Sequence, residues 1–336
     1  MIKVGVIGIG KMGISHLAIL GARHDVNVVG IADTSSLVTG VLSKYGQFQG
    51  FGDYREMINK AKPDAAVVAA PTRFHAGIVK DMISNGIHVF VEKPFCLNTQ
   101  EGKMLVDLAA KSGLVNQVGY HNKFIGTFQE AKKILDSSQL GTIQHFEANM
   151  NGPVVIKSKQ STWRSKPEEG GGCLMDYAAH IIDLVNYLID PISAVNGTIL
   201  KTYFDGEVED AVYALLQTNS RVSGVLNVNW SDETYRKMST SLTIIGTNGK
   251  MIVDSTELKV FFKKSPHNSV YDSGWNIRHI NQLTDPVSYY LRGEEYSLQM
   301  DHFINAIAGG HKNEINTFSA AFQTDRVIEM IKQHKN

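Results

Sequence analysis

The sequence predicts an α/β fold in two domains, and three observations carry that prediction. In the first third of the chain, short β-branched runs alternate with amphipathic stretches; a glycine-rich turn follows the first of those runs; and near residue 120 the texture changes to helices followed by long alternating strands. A chain of 336 residues exceeds what one hydrophobic core usually organises, so the expected division is 1–120 and 121–336.

In the first part, the apolar runs Ile2–Ile7, Val26–Ala32, 65–69, 87–91 and 114–118 read as strands of a parallel sheet, because they alternate with longer amphipathic stretches that would cover its faces as helices. Helices are expected between them at 11–23, 54–60, 75–85 and 99–111, several preceded by a polar cap or closed by glycine. This is the pattern of a doubly wound sheet. In the second part, helices are expected at 128–135 and 172–188, followed by a strand-rich stretch over 192–262. The segment 223–230 alternates, and Thr247-Asn248-Gly249 joins two strands through a pair that tolerates positive φ, so a mainly antiparallel sheet of an α+β domain follows. Residues 263–285 read as irregular, and helical periodicity returns at 297–308 and Phe318–Gln333.

Thirty-three basic residues balance thirty-three acidic ones, which leaves no global field to draw nucleic acid or an anionic membrane surface. No apolar run has the length of a membrane span and the first residues already read as strand and turn, so a cytoplasmic protein is expected. Cys96 and Cys173 lack any ligand or disulfide spacing and are expected to be reduced thiols, with no zinc site.

Gly8-Ile9-Gly10-Lys11-Met12-Gly13 stands between the first strand and the first helix. Glycines there permit a tight turn and let a pyrophosphate approach the helix N-terminus, so Gly8, Gly10, Lys11, Met12 and Gly13 are candidate cofactor residues. Asp33 closes the second strand, twenty residues beyond Gly13, where a carboxylate accepts bonds from the adenosine ribose hydroxyls. It would repel a 2′-phosphate and so favours NAD over NADP, although Thr34, Ser35 and Ser36 leave room for a phosphate.

Two further strand ends fall on the edge where open α/β sheets bind ligands. Glu92-Lys93-Pro94 ends one; proline holds Lys93 extended, and a lysine there can lower a substrate hydroxyl's pKa or stabilise charge at the reacting carbon. The competing reading is a solvated Glu92–Lys93 ion pair. Pro71, Thr72 and His75 follow another strand and are cofactor-side candidates, with His75 equally readable as a satisfied residue at a helix start.

Gly170-Gly171-Gly172 allows close backbone approach and precedes a helix apolar nearly all round except for Asp176, His180 and Asp183, spaced i, i+4, i+7. A polar stripe on a buried helix needs partners or a function, and a carboxylate one turn before a histidine can orient its ring and raise its basicity. His180 is therefore the candidate general acid/base, with Asp176 its partner; the alternative is a core histidine satisfied by a carboxylate. Metal ligation by these three is set aside, because hydride chemistry needs no metal and no second cluster has ligand spacing.

Together, Gly8–Gly13, Glu92-Lys93-Pro94 and Gly170–Gly172 with Asp176 and His180 resemble the glucose-fructose oxidoreductase, inositol dehydrogenase and MocA family. The similarity extends over Gly119–Phe124, Trp163-Arg164, Gly246–Gly249 and the final helices. It implies an N-terminal Rossmann domain and a C-terminal open-sheet domain whose exposed face forms a homodimer or homotetramer interface. It also implies catalytic Lys93 and His180, Asp176 as substrate or histidine partner, a substrate pocket shaped by Asn122, Trp163 and Arg164, and a cis Lys93–Pro94 bond. Relatives with a catalytic tyrosine act on nucleotide-linked keto-sugars; here Tyr177 stands one position off the stripe. Lys157, Lys159, Arg164 and Lys166 form either a solvated loop or a site for a substrate carboxylate or diphosphate. The expected activity is hydride transfer between NAD and a hydroxyl-bearing carbon of a sugar, cyclitol or related molecule. An NAD-requiring glycosidase and a non-catalytic dinucleotide-binding regulator are the alternatives.

Overall fold

The computed structural model describes every residue except 157–161, 205, 268, 310–313 and 335–336. The chain divides into two compact units, one of residues 1–121 with 286–322 and the other of 122–285 with 323–336. Residues 286–322, placed with the C-terminal domain in the sequence reading, thus cluster with the N-terminal unit.

The first unit holds six parallel strands, β1 (Ile2–Ile7), β2 (Val26–Ala32), β3 (Gln49–Phe51), β4 (Ala65–Val68), β5 (His88–Val91) and β6 (Asn116–Val118), in the order β3-β2-β1-β4-β5-β6. This order reverses between β1 and β4, which is the switch point where such sheets bind ligands. The helices are α1 (Lys11–Gly21), α2 (Ser36–Tyr45), α3 (Tyr54–Ala61), α4 (His75–Ser84) and α5 (Thr99–Ser112). Val4, Val6, Ala65, Val67 and Phe90 of the strands pack with Ile19 and Leu20 of α1 in one buried cluster, which fixes the turn between β1 and α1 against the sheet. Side chains cap three helices: Ser35, Asp53 and Asn98 accept from backbone N–H groups of the first turns of α2, α3 and α5. Sequence reasoning missed α2 and β3. Leu37, Val41 and Tyr45 point their apolar side chains outward on α2, so its pattern is not that of a core-facing helix, and β3 is only three residues long.

The second unit contains α6 (Gly126–Asp136), β7 (Ile143–Asn151), α7 (Ala179–Leu188), β8 (Ile192–Lys201), β9 (Ala211–Thr218), β10 (Ser223–Asn229), β11 (Ser239–Gly246), β12 (Gly249–Asp254), β13 (Glu257–Phe262) and β14 (Gly274–His279). Its sheet runs β14-β13-β12-β11-β7-β10-β9-β8, antiparallel throughout except where β7 meets β10. Two corrections arise here. Strand β14 lies inside the stretch read as irregular; it is an edge strand whose apolar Trp275 and Ile277 are exposed, so its alternation faces no core. The β11–β12 hairpin pairs Gly246 with Gly249 and neither Asn248 nor Gly249 has positive φ; a Cβ on Gly249 would stand 1.9 Å from the Phe261 carbonyl oxygen, so glycine serves close strand approach.

Two helices complete the chain, α8 (Glu294–Ile307) in the first unit and α9 (Phe318–Gln333), which begins in the first unit and ends in the second. Met300, Phe303 and Ile304 of α8 join the core cluster of the first sheet. Among the described residues, no helix is long and apolar enough to cross a membrane.

Candidate active site

In the first unit the three turn glycines do different work. Gly8 has φ +83°, and a Cβ there would lie 2.6 Å from the Ala70 backbone nitrogen; a Cβ on Gly13 would lie 1.9 Å from the Gly8 carbonyl oxygen. Both are therefore demanded by the fold of the turn itself. Gly10 differs: nothing lies within 4 Å of a Cβ built on it. It is the N-cap of α1 and no side chain caps that helix, so the first-turn N–H groups of Lys11 and Met12, with the positive end of the helix dipole, present an anion cradle that a side chain on Gly10 would fill. These features fit a dinucleotide pyrophosphate.

Asp33 stands just past β2 and holds the turn in place. Its Oδ2 accepts from the Ile9 N–H at 2.7 Å and its Oδ1 from the Ser35 N–H at 2.8 Å. A carboxylate fixed by two backbone donors retains lone pairs for ribose hydroxyls and meets a 2′-phosphate with like charge. NAD is accordingly expected to bind more tightly than NADP, and Asp33→Ala to weaken NAD by about tenfold and narrow the gap. Fluorescence titration of both cofactors checks this; equal affinities in the unaltered protein contradict it.

At the end of β5, Glu92 does not form the solvated pair with Lys93 that was the competing reading. Its Oε1 accepts from His16 Nε2 of α1 at 2.6 Å and its Oε2 from the Lys93 backbone N–H at 3.2 Å. Burial pushes the Glu92 carboxyl up, but the His16 hydrogen bond and the charges of His16 and Lys93 outweigh it and hold the group below its usual range. The Lys93–Pro94 bond is cis, as the resemblance implied. Thr72 is buried in the short helical turn after β4 that Pro71 opens. His75 is fully enclosed, with Nδ1 3.0 Å from the Pro94 carbonyl oxygen and Nε2 2.9 Å from that of Ala70. Its ring ties the turn after β4 to the turn after β5.

His121, after β6, is buried and stacked on Tyr296 with ring centroids 4.8 Å apart. Burial above all, helped by the cations of Lys93 and Arg292 and opposed by Glu92, lowers its pKa to about 4. A histidine with a depressed folded-state pKa contributes stability that is present above its unfolded value and is lost as pH falls through the folded one. Stability is thus expected to decline between about pH 6.5 and about pH 4, with roughly 3 kcal/mol as the upper bound for this residue. Melting temperature followed against pH should fall less steeply in His121→Phe, which keeps a ring over Tyr296; an unchanged slope contradicts the assignment.

In the second unit the triple glycine is used by the chain itself. Gly170 and Gly172 have φ of +82° and +100°, and a Cβ on Gly171 would stand 2.5 Å from the Arg164 carbonyl oxygen. The expected α-helix from 172 is interrupted: residues 174–178 form a π turn and α7 begins at Ala179. A π turn takes an extra residue, so the i, i+4, i+7 stripe does not persist as drawn on a regular helix. Asp176 accepts from Arg164 Nε at 2.9 Å, and the Arg164 guanidinium lies 4.6 Å from the centre of the half-exposed Trp163 ring. Asp183 is turned to the buried Lys123 ammonium at 2.8 Å; burial raises its carboxyl, with Lys123 opposing. His180 is buried on α7 and Asn122 is buried with its amide nitrogen making no hydrogen bond to the described residues. Tyr177 has a buried hydroxyl, and burial followed by the Asp176 charge raises its pKa. Lys157 and Lys159 of the basic stretch lie outside the described residues, while Arg164 donates through Nε to Asp176.

Sequence reasoning missed His16, Lys123 and Glu209, whose Oε1 accepts from the Leu174 N–H at the start of the π turn. Lys123 sits within the 119–124 segment, but nothing local points to Asp183. Among the described residues no three His, Cys, Asp or Glu side chains are grouped to hold a metal ion.

A reversal-point sheet with an open glycine cradle and a carboxylate just past β2 defines a dinucleotide-binding domain. Comparison with known proteins narrows this: residues 2–120 match the oxidoreductase family with NAD-binding Rossmann fold and 128–252 the GFO/IDH/MocA C-terminal domain, and the chain belongs to that GFO/IDH/MocA family. Glucose-6-phosphate 3-dehydrogenase of Bacillus subtilis (strain 168) is 22% identical over 98% of this chain and 95% of its own. The NAD(+)-dependent scyllo-inositol 2-dehydrogenase of the same organism is 22% identical over 100% of this chain and 94% of its own. A levoglucosan dehydrogenase solved with NADH and levoglucosan shares the fold at TM-score 0.86 and 22% identity, over 99% of this chain and 96% of that one. The chain is an NAD-dependent oxidoreductase, and NAD is its cofactor.

Proposed function

We propose that this protein oxidises a secondary hydroxyl of a sugar, cyclitol or sugar derivative, or reduces the corresponding ketone, with His180 as general acid/base. The observation that carries the reading is His180 buried on α7, next along the chain from a π turn whose Asp176 is paired with Arg164. Bound NAD supplies the nicotinamide that accepts or returns the hydride. His180 takes the hydroxyl proton, and the Lys93 ammonium stabilises the developing alkoxide. Asp176 and Arg164 offer a carboxylate and a guanidinium that suit vicinal hydroxyls, with Trp163 and the Asn122 amide completing the substrate side. The first unit serves the cofactor and the second the substrate and assembly.

Relatives named for glucose 6-phosphate, scyllo-inositol and levoglucosan support the polyol class. A homodimer or homotetramer through the second sheet is supported by its outward apolar residues: Leu215 faces Val225 across β9 and β10, with Ile199 exposed on β8. A cytoplasmic setting suits the two buried free thiols, Cys96 and Cys173. Incubation with NAD and free cyclitols, aldoses, uronates and nucleotide sugars tests the activity. NADH accumulating with one of them supports the dehydrogenase; sugar release without NADH supports a glycosidase; and neither, with NAD still bound, supports a regulator.

A further inference from the structure

Glu92 is a charged group enclosed on three sides by its own unit. His16, on α1, donates to Oε1 at 2.6 Å; the side chains are 0% and 12% exposed. The Lys93 N–H donates to Oε2, and at Gly119, beyond β6, a Cβ would come within 3.0 Å of that same oxygen. Three separate stretches of chain thus shape a slot for one carboxylate. Such a slot is expensive unless the charge is used, because a buried carboxylate needs several donors to stay ionised.

The position of the slot says what the charge meets. Asp33, past β2, marks the adenosine half of the dinucleotide site, and the second mononucleotide half of a sheet that reverses between β1 and β4 lies over β4, β5 and β6. Glu92 follows β5 and so stands on the nicotinamide side. Oxidised and reduced cofactor differ there by one unit of positive charge, since NAD+ carries a pyridinium ring and NADH a neutral dihydropyridine. A fixed carboxylate distinguishes the two by Coulomb attraction. The titratable groups facing it are His16, Lys93, His121 and Tyr296; burial lowers the His121 pKa to about 4, so that ring is neutral around neutral pH.

We propose that His16 is a positioning residue that pins the Glu92 carboxylate as a charge-reading group, giving the first unit a preference for NAD+ over NADH. This rests on NAD as the cofactor and is independent of which substrate is turned over. Removing the carboxylate takes away the fixed negative charge that attracts the pyridinium ring, which penalises the pyridinium form and not the neutral one.

The test is the ratio of the two dissociation constants, measured without substrate by titrating NAD+ against protein fluorescence and NADH by its own fluorescence. Glu92→Gln, nearly the same shape, is expected to weaken NAD+ relative to NADH by on the order of tenfold. His16→Leu, which cannot donate, is expected to shift the ratio in the same direction, and His16→Gln, which can, to stay close to the unaltered protein. A purely structural role predicts equal weakening of both forms. An unchanged ratio in Glu92→Gln, or parallel losses of both forms in His16→Leu, overturns the proposal. If neither form binds the unaltered protein, the cofactor assignment itself fails first.

Discussion

Replacing His180 by alanine is expected to lower turnover by about a hundredfold or more while NAD affinity stays within about twofold of the unaltered protein. The asymmetry follows from location: His180 is buried in α7 of the second unit, while the phosphate cradle and Asp33 belong to the first. A histidine whose only task is to satisfy the core would behave otherwise, since its loss would lower the melting temperature and reduce activity only in proportion to unfolding. Asp176→Asn separates the contributions further. It keeps the shape but removes the charge that faces Arg164, so the pKa of the base, read on the acidic limb of the pH–rate profile for oxidation, should move down if Asp176 tunes the base and stay still if it serves only Arg164. A fully active, destabilised His180→Ala variant is the result that removes the mechanism.

Much of the first unit was legible because its signals are local. β1 and β2 end where their β-branched runs end, and the spacing from Gly8 to Gly13 placed the turn that α1 follows. The site was legible only where neighbours in sequence are neighbours in space. The partner of Glu92 is 76 residues away on α1, and that of Asp183 is 60 residues away in the segment after β6, so no window of sequence contains either pair. The π turn escaped for a different reason. Its residues are ordinary helix formers, and the extra residue is set by the glycines and by Glu209, which approaches from beyond β8 to accept the Leu174 N–H. A helix drawn at 3.6 residues per turn from Gly172 therefore put Asp176, His180 and Asp183 on one stripe. In the folded chain Asp176 meets Arg164 while Asp183 meets Lys123.

The glycine turn yields the second large effect, and it separates binding from folding. Gly10→Val is expected to weaken NAD by about a hundredfold or more, because the added side chain occupies the space in which a pyrophosphate would meet the first-turn N–H groups of α1. The fold should tolerate it. Gly10 has φ −77°, an angle open to any residue, and nothing lies within 4 Å of its Cβ position. The loss of a favourable N-cap residue costs at most about 1 kcal/mol, a few degrees of melting temperature for a chain of this size. Gly13→Ala is the contrasting case. Its methyl group would stand 1.9 Å from the Gly8 carbonyl oxygen, so the turn must open even with no cofactor bound, and both stability and affinity should fall. Calorimetric titration with NAD and thermal melts of the two variants decide the matter. A Gly10→Val protein that melts normally and still binds NAD as before would mean that the pyrophosphate does not sit on α1, and the cradle would lose its assignment.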